Sequence, residues 1–202
     1  MLNVESNNQL AKDLGELYES KVDCDAMIIV GNRYFYVHKV ILLVRSPALV
    51  ILLEDNSNQL QLTGISPGIF EKVLKYIYTD EILDLDSIAA KVLEAADKLS
   101  LHHLKELCEK SLCQSSNRGN IIEMLILADR NSAQNLKEYA TECIIEDAGY
   151  IIGTEEFKNL EKTKLALATE VLKKAAVQKL HNDRGQNLFL STVNFICEFF
   201  GC

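Results

Sequence analysis

Between Ala26 and Pro47 the sequence changes its hydrophobic period, and that change limits what the chain can become. Ala26-Met27-Ile28-Ile29-Val30 and Tyr34-Phe35-Tyr36-Val37 are β-branched or aromatic runs, and Gly31-Asn32 between them can take a tight turn with positive φ. His38-Lys39 then leads straight into Val40–Val44, a short apolar helix. Ser46-Pro47 opens the next helix, with proline where no amide donor is needed. A hairpin feeding directly into two short helices predicts a small sheet with helices packed around it.

The flanks fit that frame. Leu10, Leu14 and Leu17 fall at i, i+4 and i+7 with Lys12, Asp13, Glu16 and Glu19 between them, an amphipathic helix with one narrow apolar stripe. Gln59-Leu60-Gln61-Leu62-Thr63 alternates as a half-buried strand should. Ser66-Pro67 is expected to cap a helix whose core face is Phe70, Val73, Leu74 and Ile77, and Glu81–Leu85 to add a short edge strand. From Asp86 onward every segment reads as helical. Ser132 is expected to cap a helix carrying Leu136, Tyr139, Ala140 and Cys143, and residues Thr163–Leu180 read as one uninterrupted helix. Leu188, Phe189, Leu190, Phe195, Ile196, Phe199 and Phe200 read as a final core helix or an exposed contact patch. The fold class is α+β: a small mixed sheet with surrounding helices, then an all-helical region.

Charge and cysteine usage narrow the function. Lys and Arg number 21 and Asp and Glu 29, so 21 − 29 gives −8, which disfavours phosphate backbones and anionic membranes as direct partners. No apolar run reaches the roughly 18–20 residues of a membrane span. The six cysteines form no C-x-x-C pair and no basic, apolar leader precedes them, so reduced thiols in an intracellular protein of nucleus or cytoplasm are expected. His102, His103, Cys108 and Cys113 lack zinc spacing: adjacent histidines on a helix diverge by about 100°, and Cys108 shares the apolar stripe of Leu101, Leu104 and Leu112. Asp25 and His38 suggest a dyad, but no ordered third partner follows, so they read as a structural polar pair tying strand to helix. No phosphate-cradling loop, nucleophile elbow or carboxylate cluster is present; no cofactor, metal or catalytic residue is expected.

Several spaced blocks carry a resemblance. Leu14-Gly15-Glu16-Leu17-Tyr18, the strand-heading Asp25, His38-Lys39-x-x-Leu42-x-x-Arg45-Ser46-Pro47 and Tyr76-Ile77-Tyr78-Thr79 lie in the first half. Ala95-Ala96-Asp97-Lys98, Leu104-Lys105-x-x-Cys108-Glu109, Glu123-x-Leu125-Ile126-Leu127-Ala128-Asp129 and Ser132-Ala133-x-x-Leu136-Lys137 continue it. Together they resemble the BTB/POZ family, and more closely its speckle-type POZ group, over roughly residues 10–160. The resemblance implies a BTB/POZ domain over residues 1–113 and a BACK-like helical region over 114–202.

It also implies an adapter that dimerises and bridges a cullin-3 RING ubiquitin ligase to a protein substrate for ubiquitination and proteasomal degradation. On this reading Leu10, Leu14 and Leu17 form a two-fold dimer interface, or else cover the chain's own core. Leu52, Leu53, Glu54 and Tyr78 would contact cullin-3, backed by the helices of residues 117–146. The segment from Ile51 to Asn58 is shorter than the family's, which is expected to weaken that contact. The group's substrate-binding MATH domain has no counterpart in the nine residues before Leu10. A truncated paralogue pairing with full-length relatives, or an oligomerisation scaffold in transcriptional or cytoskeletal assemblies, are the alternatives.

Overall fold

The alternating run at Ala26 does become a hairpin. In the computed structural model, which describes residues 9–54 and 58–178, β1 (Ala26–Val30) and β2 (Arg33–Val37) pair antiparallel around Gly31, whose φ is +60°. A side chain at Gly31 would also meet Pro67 Cγ at 3.3 Å, so this turn needs glycine for both conformation and space. β3 (Gln59–Leu62) pairs parallel to β1, giving the order β2-β1-β3. The period of two puts Ala26, Ile28, Val30, Phe35, Val37, Leu60 and Leu62 on the buried face. Phe35 meets Phe70 edge to face at 5.1 Å.

The first helix, α1 (Gln9–Ser20), precedes the sheet; α2 (Lys39–Arg45) and α3 (Pro47–Glu54) follow β2. Beyond β3 come α4 (Pro67–Thr79), α5 (Leu85–Lys98) and α6 (His102–Gln114). α7 (Ile121–Arg130), α8 (Gln134–Glu146), α9 (Ala148–Ile151), α10 (Glu155–Thr163) and α11 (165–178) complete the described chain.

Two compact units emerge: residues up to Ser115 with Arg130–Leu136, and Ser116–Asp129 with the chain from Lys137 onward. The first unit's core is built on Ile28, Leu42, Leu49, Leu53, Phe70, Leu74 and Leu93, all fully buried. The second has its own, centred on Phe157 among Ile121, Leu125, Ile144, Leu160 and Val171.

Two local expectations fail. Glu81–Leu85 forms no strand; Asp84 takes a left-handed conformation and Leu85 begins α5. Ser132 does not cap α8, for it has positive φ and the helix starts at Gln134. The buried Glu109 of α6 serves instead, its Oε2 accepting from the Leu136 amide at 2.8 Å. The expected helix Thr163–Leu180 is present over 165–178; it starts after Lys164, where the backbone leaves helical geometry (φ −139°, ψ 59°) and separates it from α10. The sequence offered no proline or glycine to mark that break. The apolar run Leu188–Phe200 lies outside the described residues.

Candidate interaction surface

The block His38 to Pro47 is a row of staples. His38 is buried and reaches Tyr78 of α4 twice: its backbone amide donates to the Tyr78 hydroxyl at 3.0 Å, and ring Nδ1 lies 2.9 Å from the same oxygen. Ring Nε2 sits 2.7 Å from the Val22 carbonyl, which can only accept. Nε2 is therefore the donor of that contact, and the tautomer with its hydrogen there leaves Nδ1 to accept from the Tyr78 hydroxyl. Burial pushes the Tyr78 phenol up to about 12, so it stays a donor at neutral pH. Arg45 donates from Nε to the Ile77 carbonyl at 3.1 Å and pairs with Asp80. Ser46 donates to the Leu99 carbonyl at 3.2 Å. Leu42 fills the core between these polar contacts.

Fixing α2 in this way decides what it shows to solvent. A seven-residue helix of sequence KVILLVR has apolar side chains all round, and Leu42 is the one it buries fully. Val40, Leu43 and Val44 are left 65%, 58% and 76% exposed. α1 behaves in a complementary way. It packs on α4 through Ala11, Gly15 and Tyr18, at i, i+4 and i+7. Ala11 is buried, a side chain at Gly15 would meet Thr79 Cγ2 at 3.1 Å, and the Tyr18 ring lies 5.1 Å from that of Tyr78.

The leucine stripe consequently faces elsewhere. Leu14 and Leu17 are half-buried and Leu10 is 69% exposed. Leu10, Leu14, Val40 and Val44 converge on a shallow groove of about 300 Å³ between α1 and α2. Large apolar side chains grouped on a surface, rather than scattered, mark a contact site.

The residues expected to touch cullin-3 divide. Leu52 is 40% exposed on α3, next to Ile51 at 62%. Leu53 is fully buried and Tyr78 is 2% exposed, so both are core side chains and neither offers a surface anchor. Adjacent residues on a helix point about 100° apart, so Leu52 and Leu53 cannot both face out. The Glu54 side chain lies outside the described set.

Asp25 also needs correction. It is exposed, and it bonds not to His38 but to the backbone of the next residue: Oδ1 accepts from the Lys39 amide at 2.8 Å. The carboxylate thus satisfies an orphan donor in the first turn of α2. What pattern reading missed was the Tyr78 hydroxyl as the true partner of His38, forty residues away in sequence.

The Cys24 thiol lies 3.7 Å from His38 Nε2, but burial and then Asp25 push it up, away from the reactive thiolate. Cys108 is pushed up to about 12 by burial. His103 Nδ1 is 2.6 Å from the Tyr76 hydroxyl. No group of three or more metal-ligating side chains occurs among the described residues, and none of their helices is long and apolar enough to cross a membrane.

Comparison with known families matches one half of the chain. The family described as "BTB/POZ domain" matches residues 14–116. Among solved structures, the chain is similar to the BTB domain of zebrafish PATZ1, with 24% identity and a TM-score of 0.47, covering 57% of this chain and all of that one. It is also similar to the BTB (Tramtrack and Bric a brac) domain of human gigaxonin, with 30% identity and a TM-score of 0.46, covering 55% of this chain and 98% of that one.

Proposed function

Because the chain belongs to the BTB/POZ family, its matched half is a protein–protein interaction module, and we propose that it works as a non-catalytic adapter. In this reading it self-associates through α1 and α2, while α3 recruits cullin-3. A RING ubiquitin ligase is thereby brought to a protein substrate, which is marked for degradation. Residues 114–202 serve as a BACK-like extension of the domain, and the sequence blocks in the first half and in α7 and α8 favour the speckle-type POZ group.

The observation that carries the proposal is the apolar groove between α1 and α2, ringed by Leu10, Leu14, Val40 and Val44. A two-fold contact buries the same patch on both copies, so one charge introduced there is desolvated twice. Val44→Asp should give monomers in sedimentation with an unchanged circular dichroism spectrum, because the position is exposed and surface substitutions rarely matter to the fold. A wild-type protein that is already monomeric at tens of micromolar would overturn self-association.

Cullin-3 recruitment rests on the family resemblance and on the exposed pair Ile51 and Leu52. Calorimetry with the cullin-3 N-terminal region should show binding, and Leu52→Asp should abolish it while leaving self-association intact. Apolar anchors dominate such contacts, so the loss should exceed tenfold. If the wild type binds no cullin-3 but still self-associates, the protein is an oligomerisation scaffold.

A further inference from the structure

The sheet has an open side. In the order β2-β1-β3, β2 pairs with β1 alone, so its other edge is free among the described residues. Which residues present that edge follows from β1. The Met27 amide donates to the Asn58 carbonyl at the head of β3, so Met27 and Ile29 turn their backbone groups to β3. Ala26, Ile28 and Val30 then turn theirs to β2, where the register pairs them with Val37, Phe35 and Arg33. The amides and carbonyls of Tyr34 and Tyr36 therefore point away from the sheet. The His38 amide, next in the same phase, is met by the Tyr78 hydroxyl at 3.0 Å. No such partner meets Tyr34 or Tyr36 among the described residues.

A groove of about 290 Å³ lies beside this edge, lined by Tyr34 and Tyr36 of β2, Tyr18 of α1, Lys21 just beyond it, and Glu71 and Lys75 of α4. Tyr34 is 61% and Tyr36 46% exposed. With the half-buried Met27 and Ile29 they give the sheet an aromatic and aliphatic outer face. The charges at the groove are uneven. Arg33 and Glu71 satisfy each other through a bidentate pair at 2.9 and 2.8 Å. The ammonium groups of Lys21 and Lys75 make no ion pair among the described residues, which leaves two cations against Glu19 alone. In a chain of net charge −8 this corner is locally basic.

We propose that the free edge of β2 binds an extended apolar-acidic-apolar segment of a partner protein as a further antiparallel strand. Tyr34 and Tyr36 each offer it one amide and one carbonyl, so main-chain bonds hold the segment. The residues opposite these tyrosines lie on the same side of the sheet, where β-branched or aromatic side chains pack best. The residue between them, opposite Phe35, points to the other side, and a carboxylate there enters the groove beside Lys21 and Lys75. The same charges disfavour a second copy as the occupant. Two β2 edges joined about a two-fold axis would merge their grooves and set these lysines against their equivalents, and lysine beside an edge is a common defence against such pairing.

The probe is a fluorescein-labelled peptide, Thr-Val-Glu-Val-Glu-Val-Thr, followed by fluorescence polarisation against the full chain. It should bind saturably, and Lys21→Glu combined with Lys75→Glu, both at exposed positions, should weaken it about tenfold. N-methylation of the valine amides should abolish binding, because those amides face β2, whereas N-methylation of the glutamate amides should leave it intact. Tyr36→Pro removes one edge donor, and proline is accepted in an edge strand where the lost amide faced outward. That variant should keep its circular dichroism spectrum and lose the peptide; the lysine variant tests the site independently of any disturbance to β2. No saturable binding up to about 1 mM peptide overturns the proposal. So does undiminished binding after valine N-methylation or in the lysine variant. A Tyr36→Pro protein that loses self-association also overturns it, by making the edge a contact between copies.

Discussion

The two units divide polar and apolar groups in opposite ways. The first keeps polar side chains inside, with His38, Ser46, Thr79 and Glu109 buried, and sets Leu10, Val40, Leu43 and Val44 outside. The second closes an aliphatic and aromatic core around Phe157 and holds its charges at the rim, where Lys137 meets both Asp129 and Glu170, and Lys164 meets Asp129. Buried hydrogen bonds fix which elements meet and in what orientation. That orientation lets the first unit display an apolar face without collapsing onto it. Among the second unit's described residues the buried Thr141 hydroxyl donates to the Lys137 carbonyl of its own helix and ties no two elements together, so stability there rests on packing.

The largest effect that could break this contrast comes from Phe157→Ala. Emptying a fully buried aromatic site should cost about 3–5 kcal/mol. Hydrogen exchange should accelerate in α7, α8 and α10 while β1–β3 keep their protection. Equal loss in both units would show one cooperative core and dissolve the distinction.

Tyr78→Phe tests the opposite side. It removes one hydroxyl and leaves the His38 amide and Nδ1 without a partner in a buried site, at a cost of about 1–3 kcal/mol. The melting temperature should fall although no apolar contact is lost; an unchanged value would mean that the buried polar network orients nothing.

Acid should sharpen the comparison in the second unit. At Asp129 burial acts to raise the carboxyl, but the Lys137 and Lys164 contacts overcome it and hold the group below its usual range. Glu170 is held low chiefly by its hydrogen bond to Lys137, whose ammonium is held high chiefly by Glu170. Carboxylates lowered by folding stabilise it above their unfolded values near ~4, and that contribution is lost as pH falls through the lower folded values. The raised ammonium contributes below its unfolded value near ~10.4 and loses that contribution as pH rises through its folded value. Partial exposure screens the cluster, so Lys137→Met should cost about 1 kcal/mol at pH 7. Thermal melts from pH 7 to pH 2 should show the gap between variant and wild type closing; a constant gap would assign the loss to packing of the lysine stem.

The smallest effect belongs to Asp25→Ala, about 0.5–1 kcal/mol, since the carboxylate is exposed and satisfies one amide of a short helix. Chemical denaturation measures it, and a loss above 2 kcal/mol would return Asp25 to the buried network.

The strands and most helices were legible because their apolar residues keep a single period over five or more positions. Orientation was less so where a helix is apolar all round. Nothing in KVILLVR says that Leu42 goes in and Val44 stays out; that is decided by His38 and Arg45 gripping α4 from both ends. The leucine stripe of α1 was visible, but its freedom from the core depends on Ala11 and Gly15, small residues that leave little pattern signal. Leu53 and Tyr78 were misplaced for a related reason: burial of one residue in an apolar pair, or of a tyrosine with a distant partner, is a property of the assembled fold. The break at Lys164 has no local sequence cause that we can identify.

The face formed by Leu10, Val40, Leu43 and Val44 also bears on how long a newly made chain survives. If the proposed pairing uses this face, it follows mass action, and dilute protein would leave the face open to chaperones and proteases that read exposed aliphatic side chains. On that reading abundance would depend more than proportionally on synthesis rate: below the pairing threshold half-life would be short, and above it each chain would shield another. A variant such as Val44→Asp, harmless to the fold, would release its product from that dosage dependence.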